Sequence, residues 1–370
     1  MFFTIGFGAF FLLTGYTCLR IRTQFGTRRL KIIFTVAFAL IVISLPAIEI
    51  LAHSIAASKS RQFLIAGYLT LPLMLYLFLS VLAFDLLKGL NALLKVVPRE
   101  ALSTPRARHI ALGALFLVPV AIVSAGFVNN TTIRVNPYEI QVPARSSPLK
   151  SLRVAVASDF HLREMTSRDF MPAFVGKVNS LNADILLIPG DVAEGDRSDE
   201  RLEEFENQFN GVRTTYGVFA TLGNHESHAR GERLAFFRKS NICLLQDTAA
   251  MIDNAFVLIG RNDGREQGRM SIGDLMKKAP ATLPVIVMDH KPTDLERICA
   301  TRPDVLVSGH THNGQLWPLN YIINQIYDIP WGYRKINETN IFVTSGVQVW
   351  GPPVRTTGDS EIMLITVQFK

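Results

Sequence analysis

The sequence is poor in charge and in cysteine, and each shortage excludes a class of protein. Only 19% of the 370 residues are charged, whereas 48% are hydrophobic and the mean hydropathy is +0.23. An ordinary soluble enzyme does not have this balance, so we expect part of the chain to lie in lipid. Three cysteines are too few for a disulfide scaffold or a cysteine-rich zinc module. Any disulfide would have to join Cys243 to Cys299, and the sequence alone leaves that pairing open.

Acidic residues are scarce only in the first third of the chain. The whole chain has a net charge of +7 and a pI near 9.4, values that would suit a nucleic-acid partner. Residues 1–128, however, hold 12 Lys and Arg against three acids, a net charge of +9, and residues 129–370 hold the other 26 basic and 28 acidic residues. The second part therefore has a net charge of −2, and we expect no nucleic-acid partner.

Long apolar runs fill the first third. Each of four runs is close to the ~20 residues that cross a bilayer core of ~30 Å, and they extend roughly over Phe2 to Leu19, Ile32 to Ala52, Phe63 to Leu87 and Ile110 to Val128. Four buried core helices of a soluble protein would leave no polar face for water. No basic segment precedes the first run, so it does not resemble a cleaved signal peptide. We predict a four-helix transmembrane region over residues 1–128.

Basic residues are unevenly distributed among the loops between these runs. The first and third loops hold ten Lys and Arg: Arg20, Arg22, Arg28, Arg29, Lys31, Lys88, Lys95, Arg99, Arg106 and Arg108. The second loop holds only Lys59 and Arg61. Because Lys and Arg accumulate in cytoplasmic loops, the first and third loops are predicted to lie in the cytoplasm. The same rule predicts that everything after Val128 is extracytoplasmic.

The rest of the chain consists of two stretches that differ in composition. Residues 129–150 contain three prolines and many small polar residues, which predicts an extended linker. Residues 151–370 then alternate short β-branched runs with longer amphipathic stretches. This alternation predicts a layered α/β domain, and about 220 residues are enough for one substantial core.

Histidines follow the predicted strands of that domain. Five of the eight histidines stand directly after a strand, in the strings SDFHL, GNHE, MDHKP and SGHTHNGQ. Loops at the carboxyl ends of strands converge on one crevice in α/β folds, so these side chains are expected to cluster. Each string alone is weak, since Asp191 could be a helix cap and Asn224 and His225 could be turn residues. Their joint occurrence at successive strand ends favours a site.

Together the strings resemble the signature of the calcineurin-like metallophosphoesterases, in particular the membrane-associated branch of that superfamily. The resemblance covers about residues 152–367 and rests on a DxH pair, a GD pair, GNHE, an isolated histidine and GHTHNGQ followed by SGVQVWGPPVR. It implies a four-layer αββα metallophosphoesterase sandwich of two sheets flanked by helices. It does not identify the substrate.

The resemblance also implies roles for individual residues. Asp159, His161 and His312 would hold a first metal ion, Asn224, His290 and His310 a second, and Asp191 would bridge both. Two such cations bind phosphoryl oxygens and activate a hydroxide that attacks phosphorus in line. Mixed oxygen and imidazole ligands suit two divalent or trivalent ions such as Mn, Fe or Zn. His225 would be the general acid, and Glu226 at most supports a ligand.

Five further polar residues are assigned ordinary roles. His228 is expected to be solvated, and Glu194 and Asp196 are expected at the surface rather than on the metal. Lys291 could touch phosphate, but an exposed lysine is the simpler expectation. Asn313 departs from the family pattern, in which glycine is usual at this position, and that puts the local backbone geometry in doubt.

The segment from Leu316 to Tyr333 follows the last histidine loop and contains two Trp and three Tyr with a single acid. Aromatic residues are usually core, so the simpler expectation is that it packs on its own sheet. The alternative is a flap that enters the headgroup layer, where Trp and Tyr are favoured.

These inferences favour a membrane-anchored phosphoesterase of dinuclear metal type. Its substrate would be a phosphomonoester or phosphodiester, with a lipid headgroup or lipid-linked group as the candidate suggested by the anchor. A cytoplasm-facing nucleotide-sugar lipid pyrophosphohydrolase is an alternative that the loop charges oppose. A phospho-ligand sensor or scaffold without turnover is a second alternative, and a transporter with an accessory domain is a third.

Overall fold

The structure is a computed structural model, and it describes residues 2–52, 57–163, 165–194, 200–227 and 236–370. Contacts divide the chain into two compact units. The first contains Met1–Val128 together with Gly351–Thr356, and the second contains Asn129–Trp350 together with Thr357–Lys370.

The first unit is helical throughout its described N-terminal part. Four long helices and one short helix follow one another: α1 Phe2–Arg22, α2 Arg28–Ala52, α3 Ala57–Leu94, α4 Arg99–Ser103 and α5 Pro105–Thr131. A small core joins α1, α2, α3 and α5, and its members include Ile21, Phe38, Leu77 and Leu115. Many other leucine, isoleucine and valine side chains on these helices are exposed. Such apolar surfaces on all sides are typical of helices that lie in lipid.

Within the described residues, two helices are long and apolar enough to cross a membrane. They span Arg61–Leu94 and Pro105–Thr131, and they contain the third and fourth predicted spans. The first two predicted spans are helical, but the number of four spans stays a prediction. The carboxylate of Asp85 in α3 bonds to Arg20 of α1 at 2.5 Å and to the Tyr16 hydroxyl at 2.7 Å. This acidic residue is therefore paired within the helical unit.

The second unit contains two six-stranded mixed sheets. In spatial order the first sheet consists of β1 Ile133–Val142, β12 Ser360–Phe369, β2 Ser151–Val156, β3 Ile185–Pro189, β4 Val218–Thr221 and β5 Ile242–Leu244. The second consists of β10 Gly332–Ile336, β11 Thr339–Val343, β9 Val305–Ser308, β8 Val285–Asp289, β7 Phe256–Arg261 and β6 Thr248–Ile252. Its helices are α6 Phe170–Ser180, α7 Glu200–Phe209, α8 Asn224–Ser227, α9 Phe236–Lys239, α10 Ile272–Met276, α11 Leu295–Ala300 and α12 Asn320–Ile326.

Strand alternation builds three apolar layers around the two sheets. In β2, Val154 and Val156 enter the layer between the sheets, whereas Ala155 points to the outer layer under α6 and α7. In β8, Met288 enters the middle layer and Val287 enters the outer layer under α10 and α11. Successive side chains of a strand point to opposite faces, so both sheets are covered on both sides. The α/β prediction is confirmed, and the layer order is helix, sheet, sheet, helix.

The stretch predicted to be a linker contains the edge strand β1. It pairs in parallel with β12 over ten residues, from Ile133 opposite Ser360 to Val142 opposite Phe369. Ile140 and Val142 are buried in the layer between the sheets. Pro137 is tolerated because an edge strand has unpaired backbone groups on its outer side. The backbone is extended as expected, but it belongs to the sheet.

Candidate metal centre

The predicted site residues stand at the carboxyl ends of five strands. Asp159 and His161 follow β2, Asp191 follows β3, Asn224 and His225 follow β4, His290 follows β8, and His310 and His312 follow β9. Strands β2, β3 and β4 are parallel in the first sheet, and β8 and β9 are parallel in the second. Parallel strands place their carboxyl ends at one edge, so these eight residues meet.

Their backbone is unusual as well. Asp159, His161, Asp191, His310 and His312 all have φ between 44° and 72°. This left-handed region is sparsely populated by residues other than glycine, and it costs about 1–3 kcal/mol where the surroundings impose it. Such residues cluster at functional sites, where the surrounding structure holds the strained backbone in place.

The first group of potential ligands consists of Asp159, His161 and His312. The Nε2 atoms of the two histidines lie 3.1 Å apart. Asp159 Oδ1 lies 3.8 Å from the Nε2 of His161 and 3.5 Å from that of His312. All three side chains are buried. Their ligand atoms lie within 4.8 Å of one another, which is the arrangement that a shared cation requires.

The second group consists of Asp191, His290 and His310, with Asn224 beside them. The ligand atoms of Asp191, His290 and His310 also lie within 4.8 Å of one another. His290 Nε2 is 3.1 Å from Asp191 Oδ2 and 3.2 Å from Asn224 Oδ1. His290 Nδ1 donates to the carbonyl of Pro189 at 2.8 Å, which fixes the ring and directs Nε2 at the centre.

Asp191 connects the two groups. Its Oδ2 lies 3.1 Å from His290 Nε2 in the second group and 3.9 Å from His161 Nε2 in the first. Burial raises the pKa of Asp191, but the neighbouring His290 lowers it further, and the net pKa lies well below the usual range. For His290, burial lowers the pKa and the Asp191 carboxylate raises it, to about 10. The two pKa shifts have one cause, because the charges of Asp191 and His290 stabilise each other.

The donor set fits metal ions. Two buried carboxylates, four imidazoles and one amide converge, and burying carboxylates is costly unless positive charge compensates them. Two glycines leave room for the carboxylates of the centre. A Cβ on Gly309 would lie 2.3 Å from Asp159 Oδ2, and one on Gly223 would lie 2.1 Å from Asp191 Oδ1. Any side chain at either position would displace a potential ligand.

His225 lies at the rim of the centre and is partly exposed, as a proton donor to substrate must be. Its backbone N–H donates to Asp191 Oδ1 at 2.9 Å. Its Nδ1 lies 2.9 Å from Glu194 Oε1, and its Nε2 lies 4.0 Å from Asp191 Oδ2. His225 also lies close enough to His161 and Asp191 to count among possible ligands.

Glu194 was expected at the surface, and that expectation is wrong. Its side chain is only 14% exposed. Oε1 lies 2.6 Å from His161 Nδ1, and Oε2 lies 3.2 Å from the Arg163 guanidinium. Burial raises the pKa of Glu194, but His161 and His225 lower it well below the usual range. Glu194 stands three positions after Asp191 in GDVAE, and no local sequence pattern marks it. Asp196 and His228 lie outside the described residues.

Glu226 holds two ligand loops together. Its carboxylate accepts from the backbone N–H groups of Asp191, Val192 and Ala193 in one loop and of Gly223 in the other. Burial, reinforced by the charge of Asp191, raises the pKa of Glu226. Glu226 thus supports the ligand Asp191 indirectly: its carboxylate fixes the backbone from Asp191 to Ala193 against that of Gly223.

Three other residues lie near the centre, and for two of them the sequence led to an expectation. Lys291 is not exposed but pairs with the buried Asp263 at 3.4 Å. Asn313 has a φ of 49°, in the left-handed region that favours glycine. Asparagine tolerates this region better than most residues, so it can stand here without a change of backbone conformation. Asp289, which sequence patterns missed, pairs with Arg261 at 3.0 Å and with Arg269 at 2.6 Å. Burial nevertheless raises the pKa of Asp289 to about 6.

None of the cysteines forms a disulfide. Cys18, Cys243 and Cys299 are all free thiols, Cys243 being exposed and Cys299 buried. The pairing that the sequence left open is therefore absent.

The fold and the centre agree with comparisons with known proteins. Residues 152–314 match the family model described as calcineurin-like phosphoesterase. The chain is 30% identical over 220 residues to an uncharacterized metallophosphoesterase of Helicobacter pylori, which covers 58% of this chain and 59% of that protein. It is 27% identical over 302 residues to a Danio rerio transmembrane protein with metallophosphoesterase domain, covering 75% of this chain and 68% of that protein.

A third relative carries a substrate in its name. The chain is 23% identical over 260 residues to the UDP-2,3-diacylglucosamine pyrophosphatase LpxG of Chlamydia trachomatis, covering 55% of this chain and 78% of that protein. Residues 152–314 thus belong to the calcineurin-like phosphoesterases, and the predicted resemblance is confirmed. The chain spans less than two thirds of the length of the Helicobacter pylori relative, and the matched segment indicates a phosphoric ester hydrolase domain. The similarity to the Danio rerio transmembrane protein extends over 75% of the chain, which is more than residues 152–370 alone. Together with the two apolar helices, it indicates membrane association.

Proposed function

We propose that this protein is a membrane-anchored, two-metal phosphoesterase that hydrolyses a phosphomonoester or phosphodiester. Asp159, His161 and His312 would hold one cation, Asn224, His290 and His310 would hold the other, and Asp191 would contribute to both. The observation that carries the proposal is the position of Asp191, whose Oδ2 is within 4 Å of ring nitrogens in both groups. Bound cations would supply electrophilic binding of phosphoryl oxygens and a lowered pKa for the attacking water.

The protein's own residues complete the reaction at the rim. His225 Nδ1 donates to Glu194, so the ring is held with Nε2 directed toward the Asp191 side of the centre. In that orientation Nε2–H is placed to give its proton to the leaving oxygen as the ester bond breaks. Glu194 keeps the ring in this orientation. His225 is thus the general acid and Glu194 its positioning residue.

A lipid-linked phosphoester is the substrate class that we propose. The support is the apolar helical unit within the same chain and the name of the Danio rerio relative. Confinement to a bilayer raises the encounter rate with a substrate that is itself held there. The loop charges support an extracytoplasmic catalytic unit.

A second candidate is the cleavage of a diphosphate in a nucleotide-sugar lipid. It is favoured by one observation, the similarity to the Chlamydia trachomatis pyrophosphatase, whose name specifies such a substrate. Both candidates use the same centre. They differ in the group that leaves and in the side of the membrane on which the substrate is found.

Hydrolysis of a soluble aryl phosphodiester by the purified full-length protein with added Mn²⁺ tests the proposed chemistry. Turnover should require the metal and should be abolished in Asp191→Ala, because this residue contacts both groups. His225→Ala should lower kcat by about 10²–10⁴-fold, the usual contribution of a general acid. A matched control is Asp274→Ala, which removes an exposed aspartate on α10.

Two outcomes would contradict the proposal. Turnover that is unchanged in Asp191→Ala would mean that the observed activity does not use this centre. Tight binding of a phosphorylated ligand without metal-dependent turnover would favour the sensor or scaffold alternative. A lipid and metabolite comparison between wild type and His225→Ala then identifies which phosphoester accumulates.

A further inference from the structure

Exposed apolar side chains of the second unit are concentrated in residues 316–333, which we name the rim segment. Seven of the nine large hydrophobic side chains exposed among this unit's described residues lie there: Trp317, Leu319, Tyr321, Ile322, Ile326, Trp331 and Tyr333. A contiguous exposed apolar patch marks an interaction site in a folded protein.

Both ends of the rim segment are fixed to the ligand loop after β9. Leu316 and Ile329 are buried. The hydroxyl of Thr311, which lies between His310 and His312, donates to the carbonyl of Pro330 at 2.5 Å. The ring of Tyr327 lies 5.9 Å from that of His310, edge to face. The segment therefore begins and ends in packed positions beside the metal centre.

The middle of the rim segment is not packed. Helix α12 has no buried residue. Leu319, Ile322 and Ile326 follow the spacing i, i+3, i+7 and lie on one face of the helix. Ile322 and Ile326 are 57% and 59% exposed. The simpler expectation, packing on the protein's own sheet, holds for the two ends and is wrong for this face.

Two observations identify the occupant of this face as a bilayer. Trp and Tyr beside aliphatic residues are the composition of membrane interfaces, and the exposed basic residues Arg334 and Lys335 follow directly, as suits anionic headgroups. The chain also leaves no long tether: β1 begins two residues after α5 ends at Thr131, and α5 is long and apolar enough to cross a membrane.

We propose that the exposed face of the rim segment enters the headgroup layer of the membrane and brings the metal centre to lipid-borne phosphoesters. The proposal rests on the membrane anchoring in the proposed function and names the surface that reaches the substrate. Trp317 is the inserting tryptophan. Trp331 is an anchor, because its Nε1 donates to the buried carboxylate of Glu361 at 2.7 Å.

Tryptophan fluorescence of the full-length protein in vesicles tests the insertion without any need for activity. The chain has three tryptophans, so Trp331→Phe with Trp350→Phe leaves Trp317 as the sole emitter. Phosphatidylglycerol-containing vesicles with phospholipid brominated near the glycerol backbone should quench it. The matched control replaces all three tryptophans by Phe and adds Met251→Trp. Met251 is an exposed side chain on β6, at the opposite edge of the sheet from β10.

We expect quenching of Trp317 to exceed that of the control by at least about twofold, as for a side chain at headgroup depth. Equal quenching at both positions, or none at Trp317, would overturn the proposal. Self-association of the protein through this face without lipid quenching would identify a second copy as the occupant and would overturn it too.

Kinetics separate this proposal from the proposed function. Ile322→Ser with Ile326→Ser should lower turnover of a phosphoester presented in vesicles by about tenfold and leave the soluble aryl phosphodiester unaffected. Met251→Ser should change neither rate. Equal losses on both substrates would show that the face supports folding rather than lipid contact. If no substrate is turned over, the proposed function fails, while the fluorescence result still decides the insertion.

Discussion

At the scale of single residues, one glutamate contacts two histidines for which we propose different roles. Glu194 Oε1 lies 2.6 Å from Nδ1 of His161 and 2.9 Å from Nδ1 of His225. Each ring therefore directs its Nε2 atom away from Glu194, that of His161 toward His312 and that of His225 toward the Asp191 side of the centre. Carboxylates that bond to a ligand histidine raise its basicity and fix its ring, and their loss costs about 10–100-fold in metal affinity or activity.

We therefore expect Glu194→Gln to lower kcat for a soluble phosphodiester by about 10–100-fold and to weaken metal binding, with a smaller change in KM. The amide keeps an oxygen that accepts from one ring but removes the carboxylate that contacts both rings. Isothermal titration with Mn²⁺ and steady-state kinetics measure the two effects. Glu338→Gln, at an exposed glutamate, is the matched control.

Unchanged kcat and metal affinity in Glu194→Gln would show that the two contacts do not position the rings.

The sequence pointed to the eight residues of the centre because each stands in a motif at a strand end. Glu194 has no such marker. It reaches His161 because Leu162 and Ala193 form a bridge between the two ligand loops, and such a contact between distant residues leaves no local pattern.

At the scale of elements, the strands that carry the site were predictable and several others were not. β2, β3, β4, β8 and β9 are apolar runs that end in a polar motif, so both their type and their end were visible. β7 is fully buried without such a motif, and its run FVLIGR could equally belong to a buried helix. β1 contains a proline and polar residues, and its strand identity depends on β12, more than 200 residues later.

Strand β1 yields a prediction that a flexible linker would not. Ile140→Ser should destabilise the second unit by about 2–5 kcal/mol, because it removes a buried aliphatic side chain from the layer between the sheets. Thermal unfolding followed by tryptophan emission reports on that unit, since all three tryptophans lie in it. The adjacent Glu139→Ser, at an exposed position of the same strand, should change the midpoint little. Equal midpoints for both variants would mean that β1 contributes nothing to the sheet.

At the scale of the whole molecule, the two parts of the chain differ in what their charges do. The excess of basic residues in 1–128 is concentrated in two loops between apolar helices, where it carries information about orientation. The second unit has a small net negative charge, and in the proposed function its attraction for phosphate would come from bound cations rather than from lysine and arginine. The pI of the whole chain therefore describes neither part, and the side of the membrane proposed for the second unit is a prediction from the loop charges alone.

Cys243 is a natural probe of that side. It is exposed and lies in the second unit, whereas Cys299 in the same unit is buried. In a Cys18→Ser background, we expect a membrane-impermeant maleimide to label Cys243 in intact cells. Partial burial raises the pKa of the Cys243 thiol, so the thiolate fraction and the labelling rate should increase with pH. Cys243→Ser should abolish labelling, which confirms the site.

Labelling that appears only after the cells are permeabilised would place the second unit in the cytoplasm. It would reverse the orientation inferred from the ten basic residues of the first and third loops. It would also favour the second candidate substrate, the nucleotide-sugar lipid, because nucleotide-linked lipids are made in the cytoplasm, where nucleotides are found. The metal centre would stand unaltered, since its geometry depends on five strand ends within one unit, whereas the substrate that reaches it depends on which leaflet the rim segment faces.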